Sequence, residues 1–268
     1  MSKSLFSLRS LLALTLLVTV GATCVALGLW QLARAAERSA TAASIQAGRS
    51  SAALSLNTLP VAKSQLSNWT PAQVRGQWRG EYSVLLDNRN LAGRPGLWLA
   101  TPLLMADGRA VLVLRGWFAR PLGAQTSPVV ITPGGLQDIT GELAEHVPRL
   151  FELWSSNKQS GLVFVNQTAN QEGRAPASPQ DLAHAIDTAN LPRLQNLTLA
   201  ELEKQSGLKL LPVVLLQTSA ANDGLIRTWP EPSVDADKNV GYAMQWFGFA
   251  TICLIALLAL GWRARRRQ

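Results

Sequence analysis

Two runs in this chain contain no charged residue: Leu11–Trp30 (LLALTLLVTVGATCVALGLW) and Tyr242–Trp262 (YAMQWFGFATICLIALLALGW). A helix needs about 20 largely apolar residues to cross a hydrocarbon core of about 30 Å. Both runs meet that length, and a helix satisfies its own backbone polar groups in lipid. The sequence therefore predicts two spanning helices, one toward each end, with everything between them on one side of a membrane. A cleavable signal has a shorter apolar core of roughly 7–15 residues, although Ala33-Arg34-Ala35 resembles a small-x-small cleavage site. Thr23 before Cys24 departs from a lipoprotein signal, and the leader ahead of the first run is too short for an Arg-rich transit peptide.

The 268 residues carry a net charge of +8. Lys3, Arg9, Arg263, Arg265, Arg266 and Arg267 lie outside the two runs, and all 17 acidic residues lie between them, so the intervening region is left nearly neutral. The basic excess thus speaks for topology and against nucleic acid. Short flanks rich in Lys and Arg stay cytoplasmic, while a long loop is translocated largely regardless of its charge. The expectation is a multi-pass protein of the bacterial inner (cell) membrane with both termini cytoplasmic, a periplasmic central domain, membrane lipid as a partner and no nucleic acid. The expected divisions are residues 1–10 (cytoplasmic), 11–30 (first span), 31–60 (helical extension and linker), 61–241 (periplasmic β-rich domain), 242–262 (second span) and 263–268 (basic cytoplasmic tail).

Cys24 and Cys253 both fall inside the runs, so the exported region has no internal disulfide. At 1.5 Å per residue, Cys24 lies about 9 Å below Trp30 and Cys253 about 16 Å below Tyr242. Different depths predict that they do not pair.

After the first run, Gln31–Ala47 is Ala-rich and continues the helix, and Gly48–Pro60 reads as a linker. From Val74 onward, short apolar segments alternate with turn chemistry: Tyr82–Leu86, Leu97–Leu103, Ala110–Phe118 after the Asp107-Gly108 turn, then Leu136–Leu143, Gly161–Asn166 and Leu211–Thr218 read as strands. Pro179–Asn190 and Leu199–Ser206 have helical spacing, the second with Thr198 as its N-cap. The fold class is α+β: two transmembrane helices flank a mainly antiparallel β domain, a small barrel or sheet, with short helices.

Catalytic or metal chemistry has little material here. The only histidines are His146 and His184, and the exported region has no cysteine, which excludes thiolate and zinc-finger sites on ligand supply. No phosphate-binding glycine loop or G-x-G-x-x-G fingerprint occurs. Trp30, Tyr242, Trp246 and Trp262 mark the ends of the runs, where an amphipathic ring has both its apolar body and its polar edge satisfied. Gln31 and Gln245 sit beside Trp30 and Trp246. If the helices pack side by side, these two amides can meet across the interface, or they can line a ligand pocket.

Four segments in order resemble the Surfeit-locus 1 family of haem-copper cytochrome oxidase assembly factors: LGLWQLARAAER, VRGQWRGEYSVLLDNRNLAGRPGLWLATPLLMADGRAVLVLRGWF, DGLIRTWPEP and GYAMQWF. The resemblance implies a non-enzymatic inner-membrane chaperone of the respiratory chain that aids haem a insertion into subunit I of cytochrome c oxidase or stabilisation of that subunit. Its implied partners are subunit I and other oxidase assembly factors. It also implies a haem a pocket at the mouth of the second span, with Trp30, Gln31, Asn239, Tyr242, Met244, Gln245 and Trp246 as the matching positions. The family's proposed histidine ligand corresponds to Asn239, and an asparagine amide is not among the usual axial ligands of haem iron. Three readings follow: haem held by packing alone, haem ligated by Tyr242 or Met244, or a contact chaperone without haem. Arg115-Gly116-Trp117 matches a family motif and reads as structural, the glycine permitting a bulge or a close approach; the family's asparagine before the arginine is Leu114 here. The reading from a different class is a two-helix periplasmic sensor, which is expected to continue into a cytoplasmic output domain, whereas six residues follow Trp262.

Overall fold

The computed structural model describes residues 8–58, 65–121, 128–150, 162, 164 and 184–266. In chain order the elements are α1 (Leu8–Arg49), β1 (Leu54–Ser55), β2 (Pro71–Trp78), β3 (Val84–Leu86), β4 (Gly96–Leu104), β5 (Arg109–Ala119), β6 (Val129–Thr132), β7 (Leu136–Ala144), β8 (His184–Asp187), β9 (Arg193–Leu194), α2 (Leu199–Ser206), β10 (Lys209–Gln217) and α3 (Asp237–Arg266). The chain divides into two units, Met1–Ser44 with Pro232–Gln268, and Ile45–Glu231.

In the first unit, α1 and α3 are each long and apolar enough to cross a membrane. No glycine or proline interrupts Gln31–Ala47, and α1 runs unbroken past the apolar stretch to Arg49. The less exposed positions of α1 include Gly21, Cys24, Gly28, Gln31 and Ala35, spaced by three and four residues. Those of α3 include Asn239, Ala243, Trp246, Ala250 and Cys253, with the same spacing. This rhythm of about 3.5 residues is that of a two-helix seam.

The second unit is built on a barrel. β2 pairs with both β7 and β4, β4 with β5, β5 with β10 in parallel, and β10 with β7. Five strands thus close in the order β2-β4-β5-β10-β7, with one parallel contact, the connectivity of an OB-type barrel. Alternation along β5 sorts its side chains onto two faces. Val111 and Val113 point into the barrel with Val74, Leu103, Ile139, Val213 and Leu215. Leu112, Leu114 and Trp117 point outward onto the second core, which Leu202 of α2, Leu197 and Trp229 cover. The outer wall that such barrels use to bind oligonucleotides and oligosaccharides is therefore filled by the chain's own side chains. Beyond the barrel, β4 extends through β3 to β9, and the ribbon β6–β8 packs Val130 and Ile186 against Leu85, Leu97, Leu99 and Phe118.

Several expectations need correcting. Within Pro179–Asn190, the described residues 184–187 form strand β8 and Thr188–Asn190 a 3-10 turn, because His184–Asp187 pairs with Val129–Thr132, a partner invisible to local spacing; residues 179–183 lie outside the described residues. Gly161–Asn166 lies outside them too, except Leu162 and Phe164, which pack with the second core. The supposed linker contains the end of α1, and β1 within it pairs in parallel with β2 while Leu56 is fully buried. β2 begins at Pro71; its inward residues, Ala72, Val74 and Gly76, are mostly small, so the apolar alternation that marks a strand is weak there.

Candidate functional site

The mouth of the helix pair is held by a short set of polar contacts. Asn239, in the first turn of α3, donates from Nδ2 to Gln31 Oε1 at 2.6 Å. Asn239 is 8% exposed, and its Oδ1 has no partner. Just outside, Arg38 Nη1 donates to the carbonyl of Asp235 at 2.8 Å, and Lys238 pairs with the Asp235 carboxylate at 2.8 Å. Deeper in the seam, Gly28 makes room for Phe247: a Cβ at Gly28 would stand 2.6 Å from the ring. Gly21 faces Cys253, where a Cβ would lie at 3.4 Å. The contacts run in opposite directions along the two helices, which makes them antiparallel. Cys24 and Cys253 are both buried and both free.

The structure places the expected mouth residues on different faces. Gln31 and Asn239 meet in the seam. Gln245 does not meet Gln31; it is exposed, six residues along α3 and so about 120° around the helix from Asn239. Met244, at 70% exposed, and Tyr242 also face outward, as does Trp30. Trp246 is half-buried with its edge against Phe249, ring centres 6.0 Å apart. Met244 lies about 140° from Asn239, so the two cannot present to one group. The residues present do not form an enclosed haem cleft within this chain, and the one buried member, Asn239, spends its amide on Gln31.

The second set, Arg115-Gly116-Trp117, lies within β5. The β4–β5 register slips between Leu99 and Ala100, leaving Arg115 as the extra residue of a bulge. Gly116 adopts φ +156°, and a Cβ there would meet Leu225 Cβ at 2.7 Å. The bulge directs Arg115 inward, 2% exposed, its guanidinium 4.8 Å from the Trp78 ring centre. It donates to Thr132 Oγ1 (2.7 Å), Ile131 O (3.0 Å) and Asp223 Oδ2 (3.3 Å). Burial holds Arg115 below its usual pKa, and Asp223 opposes that shift. Trp117 donates from Nε1 to Arg89 O at 2.6 Å, and Gly96 exists to admit its indole, since a Cβ there would lie 2.2 Å from the ring.

A model of the SURF1 family matches residues 18–251, which takes in most of α1, the first half of α3 and the whole barrel. The chain belongs to the SURF1 family. It is also similar to a SURF1-like protein of Rickettsia felis, 32% identical over 101 residues; the alignment covers 35% of this chain and 41% of that relative.

Within this SURF1-family fold, the Arg115-Gly116-Trp117 motif is a packing device whose partners lie far along the chain. Asp223 and Arg227 complete its polar cluster, Arg227 donating to Asp223 Oδ2 at 2.6 Å. Arg89 lies 4.6 Å over Trp98, which stacks edge-on against Trp229 at 5.3 Å. Burial lowers the Arg89 pKa to about 10, so it stays cationic at neutral pH. Asp223, Arg227 and Trp229 lie in the DGLIRTWPEP segment and Arg89 and Trp98 in the central one, but nothing local pairs the two segments; along α1 the small residues Gly21, Cys24, Gly28 and Ala35, spaced by three and four, are a signal that could have located the helix seam.

Among the described residues no three His, Cys, Asp or Glu side chains gather as a metal site, and His146 is exposed on a loop. A groove of about 480 Å³ along β1, β2 and β7 is lined by Ser55, Asn57, Gln73, Arg75, Asp138 and Thr140, none of them a candidate residue.

Proposed function

We propose that this chain is a non-enzymatic assembly factor for a haem-copper cytochrome oxidase, anchored by two helices and acting by contact with the subunit that receives haem a. The family match over residues 18–251 carries this reading. The helix pair supports it, since an assembly factor for a membrane subunit must meet that subunit in the bilayer. In this reading the termini are cytoplasmic, the barrel is periplasmic, and subunit I with its other assembly factors is the partner. Haem a is aided into place without an axial ligand from Asn239, whose amide is engaged with Gln31.

Deleting the gene in a strain with no second copy tests the proposal. Haem a content and activity of the terminal oxidase are expected to fall together, with full recovery on complementation. Unchanged oxidase in the deletion strain would refute it.

A further inference from the structure

The face of α3 opposite its seam with α1 carries an amide. Gln245 is exposed and hydrogen-bonds to nothing among the described residues. At 3.6 residues per turn, Gly241, Gln245, Gly248, Ile252, Ile255 and Ala259 fall within about 40° of one line down the helix, about half a turn from Asn239, Ala243 and Ala250 of the seam. All six are exposed, so they form one open strip. A Cβ at Gly241 or Gly248 would meet nothing within 4 Å.

In a bilayer this strip faces lipid. The charge-free run Tyr242–Trp262 is about 30 Å long as a helix, the thickness of a hydrocarbon core. Gln245 lies three residues inside it, about 4–5 Å below Tyr242. In water an exposed glutamine needs no explanation. Lipid tails offer its amide neither donor nor acceptor, and an unpaired amide in an apolar medium is costly. Side-chain hydrogen bonds between helices relieve that cost, and small residues beside the polar one let two backbones approach closely.

We propose that this strip of α3 docks on the same strip of a second copy of the chain, with the two Gln245 amides hydrogen-bonded to each other and Gly241 and Gly248 setting the close approach. Two copies enter the membrane in one orientation, so each residue meets its counterpart at the same depth. An amide both donates and accepts, which makes Gln245 complementary to itself across a two-fold axis. A foreign helix would have to bring a matching polar group to that depth. Below the amide, Ile252 and Ile255 pack on their counterparts, and the single polar residue in an apolar seam fixes the register. The inference rests on α3 spanning the bilayer and not on the oxidase role proposed above.

Photocrosslinking of the full chain in its native membrane tests this, with p-benzoylphenylalanine at Ile252 and, as a control, at Leu254, which is also exposed but lies half a turn around α3 from Gln245. Ile252 should give an adduct of twice the chain's 28.9 kDa, containing peptides of this chain alone, and Leu254 should not. On dilution of the purified chain in lipid vesicles, Gln245→Leu should raise the dimer dissociation constant by roughly three- to thirtyfold, as for loss of an interhelical hydrogen bond, while Gln245→Asn keeps most of the affinity. Gly248→Leu should abolish the dimer with the melting of the single chain unchanged, since position 248 meets nothing in the chain's own fold. Adducts with lipid alone or with a different protein, equal dimer yield from Leu254, or an unchanged dissociation constant in Gln245→Leu would overturn the proposal. Extraction of the chain from membranes by alkali would overturn it together with the two-span reading; a chain that stays in the membrane without dimerising overturns the dimer alone.

Discussion

Asn239 and Gln31, 208 residues apart in sequence, share a 2.6 Å hydrogen bond at the mouth of the helix pair. Interhelical amide bonds in membranes contribute about 0.6–2 kcal/mol. Asn239→Leu and Gln31→Leu should each lower the thermal midpoint in mild detergent, and the double variant should lose less than the sum of the two. Strict additivity in that cycle would show that the amides are not coupled.

The seam below depends on a missing side chain. A Cβ at Gly28 would lie 2.6 Å from the Phe247 ring, while one at Gly248 or Gly261 meets nothing within 4 Å. Gly28→Leu is expected to part the helices and destabilise the protein by roughly 1–3 kcal/mol, the usual cost of overpacking; Gly248→Leu should leave it unchanged. Equal melting of the two variants would contradict the pairing.

Local chemistry was legible in the sequence where it acts within a few residues. α2 spans the predicted residues because Thr198 and Glu201 form a capping box and Gly207 closes the helix at φ +69°. β4 and β5 flank the Asp107-Gly108 turn with Gly108 at φ +83°. What stayed hidden was set by distance. Gln31 found Asn239 and not Gln245 because the phase of α3, fixed by Phe247 against Gly28, turns Gln245 away. Arg115 read as part of a short motif, yet Asp223, its buried counter-charge, lies 108 residues further along.

Gly116 combines a backbone conformation that side chains resist with a contact that leaves no room for one, φ +156° and 2.7 Å to Leu225 Cβ. Gly116→Ala should cost roughly 1–3 kcal/mol from strain alone, with steric displacement of Leu225 added. Gly108→Ala faces open space and should cost only on the order of 1 kcal/mol. Denaturant unfolding of both variants gives the ranking, and a milder effect at Gly116 would sink the account of the bulge.

Asp107 is held below the usual carboxylate pKa chiefly by the Arg109 side chain, whose guanidinium lies 2.6 Å from it. A depressed folded-state pKa contributes stability above the ordinary value of about 3.9, and that contribution is lost as pH falls through the lower folded value. A carboxyl NMR titration should place the Asp107 midpoint below about 3.9, and Arg109→Gln should move it up. A midpoint unaffected by Arg109→Gln would remove the ion pair as its cause.

Asn239→His probes whether the mouth can still take haem. One imidazole nitrogen can donate to Gln31 Oε1 as the amide does now, which fixes the ring and leaves the other nitrogen free to ligate. Co-expressed with haem a synthesis enzymes and purified, Asn239→His should show a stronger Soret band than the unaltered protein. Adding Gln31→Leu should weaken that band, because the ring loses the bond that orients it. No gain in the single variant would mean that the outward turn of Tyr242, Met244 and Gln245 has removed the pocket along with the ligand.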